Sequence, residues 1–562
     1  PLFRSTDGGK TFASVATARG VHADAHALWI NPKDNRHLLI GCDGGWYVSR
    51  DKGATWDHQN VAALGQFYHV AVDNRRPYRV YGGLQDNGSW GGPSDSLRAG
   101  SGPYNEDWVF VSGGDGFVCR VDPTDPDLVY AESQGGNISR RNFRTGERAG
   151  IRPGRGVGGT ALRFNWNTPF ILSSHNPSIF YNGAQFVFKS VKKGDDLKQI
   201  SPELTRTKAG SMTAISESPR TPDVLWAGTD DGHVWVTKDG GTKWENVTPN
   251  IQKAGLSGYR WVASLEAGKE KDGKCYVALD GHRSDDDKPY LFVTEDYGAT
   301  WKSVLGNLPT FGSTRVLRED IVNPAVLYCG TEFGAFVSAN RGASWTKLGG
   351  NLPTVACHEF AQPTTADDLV VATHGRSVWI LDINAIRQFK PEVAKAPATL
   401  FTPSPAVRWR LGAGGESPYS RTDRKFVGEN PARGASFDVY ITEKPKAATL
   451  KVMDVTGKTV WTYAPNAQAG RPPLTDTGLH RVQWNLAGSR TGSGRPGGGR
   501  QGGGQVPPGN YKVVLTVDDK EFTTTLDVEL DPNAPKDLIS NEDETGIGEE
   551  NEGGKKLGQI DY

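Results

Sequence analysis

The sequence predicts an all-β protein: a β-propeller of seven or eight four-stranded blades, followed by an immunoglobulin-like β-sandwich and an acidic tail. Three observations predict this. A unit of apolar strand, Gly-bearing turn and second strand recurs through the first 385 residues. Many copies run on into a box of the form S-x-D-x-G-x-T-aromatic. The 70 glycines, with Asn and Asp, punctuate short Val/Tyr/Phe/Trp runs, and no long stretch has helical periodicity.

The repeat is read from its turns. HLLIGCDGGWYVSRDKGATW starts at His37, VLWAGTDDGHVWVTKDGGTKW at Val224 and VLYCGTEFGAFVSANRGASW at Val326. Matching turn residues are Asp43, Asp86, Gln134, Gln185, Asp230, Asp280, Glu332 and His374. Their spacing suits blades of roughly 40–50 residues.

The box stands at Ser5–Phe12, Ser49–Trp56, Thr237–Trp244, Thr294–Trp301 and Ser338–Trp345, the last with Asn340 in the Asp position. A decayed copy at Ser190–Leu197 has Lys192 there. Its physics is local: a short carboxylate or amide accepts N–H bonds within its own turn, and the aromatic wedges between strands. The box is therefore structural and makes no enzyme by itself. PLFRSTDGGKTF opens inside such a box. Residues 1–20 are expected to be the outer hairpin of a blade begun upstream, completed by another protein or an upstream fragment, because an orphan hairpin leaves a strand edge unpaired.

The propeller is expected over 1–385 and a Pro-rich linker over 386–423. From 424 to 532 short alternating runs such as ASFDVYITEKP and NYKVVLTVDDKEFTTTLDVEL predict the sandwich. Its Gly/Arg-rich loop, 488–506, reads as flexible. The tail, 533–562, is acidic and poor in large apolar groups. It is expected to order only on another chain.

Lys plus Arg and Asp plus Glu are 64 each, which gives no reason to expect nucleic acid or an anionic membrane as partner. The five cysteines form no CxxC pair, so they specify neither a metal site nor a disulfide framework. No apolar run reaches the length of a membrane span. No signal peptide is visible, and a start inside a motif removes the weight of that absence.

Candidate ligand residues are polar groups that break the repeat near the channel mouth, where loops of all blades converge. They are His22, Gln85, Asp86, Trp166, His282, Arg283, His374 and Arg376. Amides, indoles and a guanidinium suit sugar or peptide recognition. They also suit a bonded polar lining. His22, Asp24 and His26 alternate, so on a strand they would share a face and suit a divalent metal. The bland reading is a polar cluster near the axis, and no cofactor is predicted. Acids for glycoside hydrolysis, which needs two across a cleft, are Asp230, Asp285 and Glu332. DGHRSDDD reads equally as a solvated acidic loop. Serine-nucleophile, P-loop and zinc-protease motifs are absent.

The motifs HALWINP, GLQDNGSW, GGDGF, FNWNTP, LWAGTDDGHVWVTKDGG, DGHRSDD and THGRSVWILD, in this order, resemble one bacterial family of exported proteins. It is labelled sortilin-N-terminal-domain-like or BNR-repeat glycosyl hydrolase-like. The resemblance covers about residues 1–530. It implies a propeller followed by a sandwich, in a secreted or periplasmic protein with further repeats upstream. The hydrolase label rests on the boxes, so the resemblance transfers fold and carries over no catalytic residue. The two-propeller xyloglucan-cleaving glycosidases are a more distant likeness, with a cleft between propellers. The leading expectation is a non-catalytic, protein-binding scaffold in a larger extracellular or envelope assembly. The alternatives are a glycoside hydrolase or lyase acting on extracellular polysaccharide, and a sortilin-like peptide binder.

Overall fold

A computed structural model describes residues 2–15, 20–98, 101–412, 426–465, 471–488 and 504–534. The acidic tail from 535 onward and most of the loop 488–506 lie outside the described residues, as does the prediction that the tail orders on another chain. No helix in the described residues is long and apolar enough to cross a membrane. The chain divides into two units, 1–401 with 413–431, and 402–412 with 432–562.

The first unit is a β-propeller whose ring closes with seven blades. Blade 1 pairs Phe67–Val72, Arg79–Leu84, Gly88–Pro93 and Val109–Ser112 in antiparallel order from the axis outward. The inner strands of blades 2 to 7 are Gly116–Asp122, Phe170–Leu172, Met212–Glu217, Trp261–Ala267, Thr314–Glu319 and Cys357–Ala361. Blades 1 to 6 have four strands and blade 7 has three.

Apolar residues on both faces of each sheet close the ring. Ala71 and Tyr81 of blade 1 pack on Cys119 and Val129 of blade 2, and Tyr130 of blade 2 on Phe170 and Phe180 of blade 3. The sequence continues around to Tyr328 of blade 6 on Phe360 and Val371 of blade 7. Phe67, Val70 and Val80 of blade 1 then meet Val370 and Ala372 of blade 7. Sheets stacked this closely need a small residue where they touch. A Cβ on Gly228 would lie 2.3 Å from Val262, and one on Gly330 would lie 2.3 Å from the Cys357 carbonyl.

The sheet Ala25–Ile30, Leu38–Cys42, Gly45–Ser49 and Asp57–Gln59 has blade topology but stands outside the ring. The expectation of one propeller over 1–385 is corrected on this point: the ring spans blades from Phe67 to Asp382, because Phe67 and Val80 bury against blade 7. A two-stranded hairpin, Phe3–Arg4 with Ala13–Ser14, packs beside that first sheet. Leu2 joins Ile40, Tyr47 and Trp56 there.

The boxes close as their chemistry requires. In Ser49–Trp56 the Asp51 carboxylate accepts from the Thr55 N–H at 2.8 Å and its hydroxyl at 2.7 Å. These bonds, the Thr55 backbone first, hold Asp51 down at about 2. In the decayed copy Lys192 ion-pairs with Asp196 instead.

In the second unit Lys520–Leu530, Gly509–Val517, Ala448–Met453 and Thr459–Thr462 form one sheet, and Ala435–Ile441 pairs with Gly478–Trp484. An aromatic ladder joins these strands: Phe437 to Trp461 at 6.0 Å, Trp461 to Trp484 at 5.7 Å and Trp484 to Tyr511 at 6.2 Å. The expected linker 386–423 is corrected too. It supplies the strand Ala406–Arg408, parallel to Lys520–Leu530, because Ala406 and Val407 bury in this unit.

Candidate functional site at the mouth of the ring

Most inner strands carry a bulge near their first residue. The ladder slips between Phe67 and His69, Met212 and Ala214, Val262 and Ser264, Thr314 and Val316, and Cys357 and Glu359. A bulge leaves one residue unpaired and re-aims its side chain. The residues so placed are Tyr68, Thr213, Ala263, Arg315 and His358. Three are large and polar, and they meet the turns that follow the second strands.

Two groups result. In the first, the Tyr68 ring lies 4.5 Å from Phe117 and 4.9 Å from His374, and His374 stacks on His358 at 4.5 Å and 11°. The Tyr68 hydroxyl donates to Gln85 Oε1 at 2.7 Å. Burial pushes the Tyr68 phenol up to about 12, helped by Asp115 and Asp86. Burial also pushes the His358 imidazole well below its usual value and lowers His374. Both rings are therefore neutral near pH 7.

In the second group Asp280 is nearly sealed. It accepts from Arg315 Nη1 at 2.5 Å and pairs with His282 Nδ1 at 2.6 Å. Burial opposes its ionisation, yet Arg315 and then His282 hold its carboxyl below the ordinary range. Arg315 also bonds Glu332. Arg283 lies 4.6 Å over the Trp261 ring, and exposed Arg376 sits in the turn after His374.

An acidic line runs from the first sheet onto this mouth. Asp86 adopts a left-handed backbone, φ 60°, and its N–H donates to Asp115 Oδ1 at 2.6 Å. Burial, then Asp115, then Asp43 raise the Asp86 carboxyl. His22 Nε2 lies 3.1 Å from the Asp86 carbonyl, and Asn87 donates to the Asp43 carbonyl at 3.0 Å.

The structure thus brings Gln85, Asp86, His282, Arg283, Glu332, His374 and Arg376 to the turns at one end of the ring. It does not do so for every candidate. Asp230 is held by Ser211, at 2.9 Å from the N–H and 2.6 Å from the hydroxyl, and by Asn165 at 3.2 Å. That is a structural clasp. Asp285 is exposed in a left-handed turn, φ 58°, while its neighbour Asp286 pairs with Arg260. The shared strand face for His22, Asp24 and His26 is corrected. The strand begins at Ala25, Asp24 is left-handed at φ 58°, and His26 pairs with Asp43 at 2.8 Å. No group of three metal-binding side chains occurs among the described residues.

Trp166, 59% exposed, belongs to a loop fixed by an unusual acid. Glu132 is fully buried at the position where other blades have Gly83, Gly228, Ala278, Gly330 or Ala372. The inner strand of blade 3 is short, and the loop 165–168 stands in its place. Glu132 fills the gap, accepting from the N–H of Gly136 at 3.1 Å and from that of Thr168. Burial raises its carboxyl well above the usual value, and one oxygen has no partner. Asn167 of the same loop bonds His69 at 2.9 Å.

Tyr68, Asp115, Glu132, Asp280, Arg315 and His358 were missed from sequence. The signal for three of them was a Tyr, Arg or His near the start of a first strand, where blades 4 and 5 have Thr213 and Ala263.

No family model matches the chain. The oligoxyloglucan-reducing end-specific xyloglucanase of Emericella nidulans is 27% identical over 222 residues, covering 36% of this chain and 25% of that protein. The matched part thus spans a quarter of that relative's length. Among solved structures, the Niastella koreensis GH74 enzyme is similar over 68% of this chain and 78% of its own, at 12% identity and a TM-score of 0.28. The Pan2 WD40 domain of Neurospora crassa is similar over 56% and 88%, at 14% identity and a TM-score of 0.38.

Proposed function

We propose that this chain takes an extended glycan at the mouth of its ring, as a glycoside hydrolase-like propeller of an exported protein. The observation that carries the reading is that acids and aromatic rings gather at that mouth. The Asp86 carboxyl is raised by burial, Asp115 and Asp43, which is the direction a general acid needs. Glu332, paired with Arg315 and still partly exposed, is the second carboxyl a substrate could reach. Hydrolysis of a glycoside requires two carboxyl groups that flank the scissile bond. The neutral His358–His374 stack, Tyr68 and exposed Trp166 offer ring faces and hydrogen-bonding edges to sugars. The 27% identity to a xyloglucanase supports the substrate class.

The test is release of reducing ends from xyloglucan and a panel of other β-glycans. The expected result is turnover by the native protein and a fall of about 10²-fold or more in Asp86→Asn. No turnover on any glycan would sink the catalytic reading.

A second reading, a non-catalytic scaffold in an extracellular assembly, is favoured by the first sheet. Leu28, Trp29, Ile30 and Trp46 are exposed by 46%, 45%, 51% and 40%, where ring blades are covered by a neighbour. On this reading another protein or an upstream segment completes the blade begun by the first hairpin. Leu28→Ser with Trp29→Ser would then abolish assembly and leave ring stability unchanged. An unchanged assembly state would overturn it.

A further inference from the structure

The axis of the ring holds a chain of polar groups that the mouth does not use. His69 of blade 1 bonds Asn167 at 2.9 Å on one ring nitrogen and Glu359 of blade 7 at 3.2 Å on the other. Glu359 accepts from Arg318 of blade 6 at 2.6 Å, and Arg318 donates to Ser264 of blade 5 at 2.9 Å. Arg318 also lies 3.5 Å from Glu266, which pairs with Lys269 at 2.6 Å.

Arg120, on the inner strand of blade 2, is the exception. Its one hydrogen bond goes to the carbonyl of its own neighbour, Cys119, at 2.8 Å. Among the described residues it has no carboxylate within ion-pair distance. The charges it feels are Glu359 and Arg318, on blades two and three places away around the ring. Groups so placed reach one another only across the axis. Glu359 is committed to Arg318 and His69, and Glu266 to Lys269 and Arg318. One positive charge is left over on a partly exposed side chain lining the axis, with four of the five guanidinium N–H groups without a protein partner among the described residues. An unpaired cation facing a concave channel raises the local concentration of counter-ions there.

We propose that the axial channel is a binding site for a small singly charged anion, a halide or a carboxylate, held by Arg120. Arg318 adds long-range attraction and Glu359 limits the site to one charge. A doubly charged oxyanion would meet Glu359 and bind less well. The site is separate from the acids of the mouth and does not depend on the glycan reading.

The test is thermal unfolding of the whole chain at constant ionic strength, exchanging a bulky organic sulfonate for chloride, formate or sulfate. Chloride or formate is expected to raise Tm saturably by about 2 °C. Sulfate is expected to do less, and Arg120→Gln to abolish the shift. No saturable shift, or the same shift in Arg120→Gln, would overturn the proposal. If that variant does not fold, a bromide-soaked crystal of the native protein decides. An anomalous peak beside Arg120 supports the site, and its absence in an otherwise bromide-loaded crystal overturns it.

Discussion

Trp56 donates its indole N–H to the backbone carbonyl of Val15 at 2.5 Å. Val15 follows directly on the second strand of the first hairpin, Ala13–Ser14. Inside the ring, Trp244 bonds Ile200 and Trp345 bonds Val304, each at 3.0 Å and each just past the outer strand of the preceding blade. In these three boxes the aromatic is a latch between consecutive sheets, whereas Trp301 bonds the Gly298 carbonyl of its own turn at 3.1 Å, and the first hairpin engages Trp56 as a blade's outer pair would.

Removal of a ring latch should cost more than removal of its turn. Trp345 is 5% exposed and Trp244 is 9% exposed. Trp345→Ala is expected to lose about 3–5 kcal/mol, from the cavity and the orphaned carbonyl. Asp239→Asn, which keeps a turn acceptor as Asn340 does naturally, is expected to leave the unfolding midpoint nearly unchanged. Urea unfolding monitored by fluorescence measures both.

Glu132 should be a liability that rises with pH. Its folded-state carboxyl titrates well above the unfolded value of 4.5, because burial disfavours the charge. Between the two values the unfolded chain is ionised and the native chain is not, so stability falls as pH rises above 4.5. Glu132→Gln keeps an acceptor for Gly136 and Thr168 without a charge to suppress. The variant is expected to equal or exceed the native protein at pH 7 and to flatten its pH dependence. Glu132→Gly should loosen the loop and reduce affinity for any ligand that stacks on Trp166.

Glu359 behaves in the opposite sense. Burial alone would raise it, but Arg318 and then His69 hold it at about 2. Its contribution is fully present above pH 4.5 and is lost as pH falls toward 2. Glu359→Gln leaves the Arg318 charge enclosed without its carboxylate and is expected to cost about 3–5 kcal/mol at pH 7. Acid titrations of native and variant proteins should converge near pH 2.

The stacked histidines make the mouth sensitive to mild acid. His358 and His374 titrate below the unfolded value of 6.5, burial being the main cause. Their contribution is complete above pH 6.5 and declines below it, as the unfolded chain gains protons that the stack refuses. His358→Gln should reduce the slope of Tm against pH between 6.5 and 5. An unchanged slope would place the titration elsewhere.

The repeat was legible because each blade is local: Asp86, Asp230, Glu332 and His374 mark turns within one unit, and turn chemistry is written in consecutive residues. Ring closure is a relation between Phe67 and Val370, so the sequence could not show that the first sheet stands outside. The site was half legible for the same reason. Turn residues such as His282 and Glu332 interrupt the repeat, but Arg315, which joins Glu332 to Asp280, lies on a strand and was placed by a bulge. His22, Asp24 and His26 show the reverse: alternation implied one face, and a left-handed Asp24 broke the strand before they could share it.

The three-stranded blade 7 fastens to the start of the ring through backbone bonds as well as through its apolar flank. The Gly65 carbonyl accepts from Gly375 at 2.9 Å and from Ser377 at 3.1 Å, and Gln66 bridges His374. Tyr78 and its partner Asp368 are 290 residues apart. During synthesis the apolar flank of blade 1 must therefore wait for its cover for roughly 15–60 s at 5–20 residues per second. The circle is sealed last, and a nascent chain arrested before residue 370 would offer that flank, Phe67, Val70 and Val80, to chaperones or to a neighbour's unfinished ring.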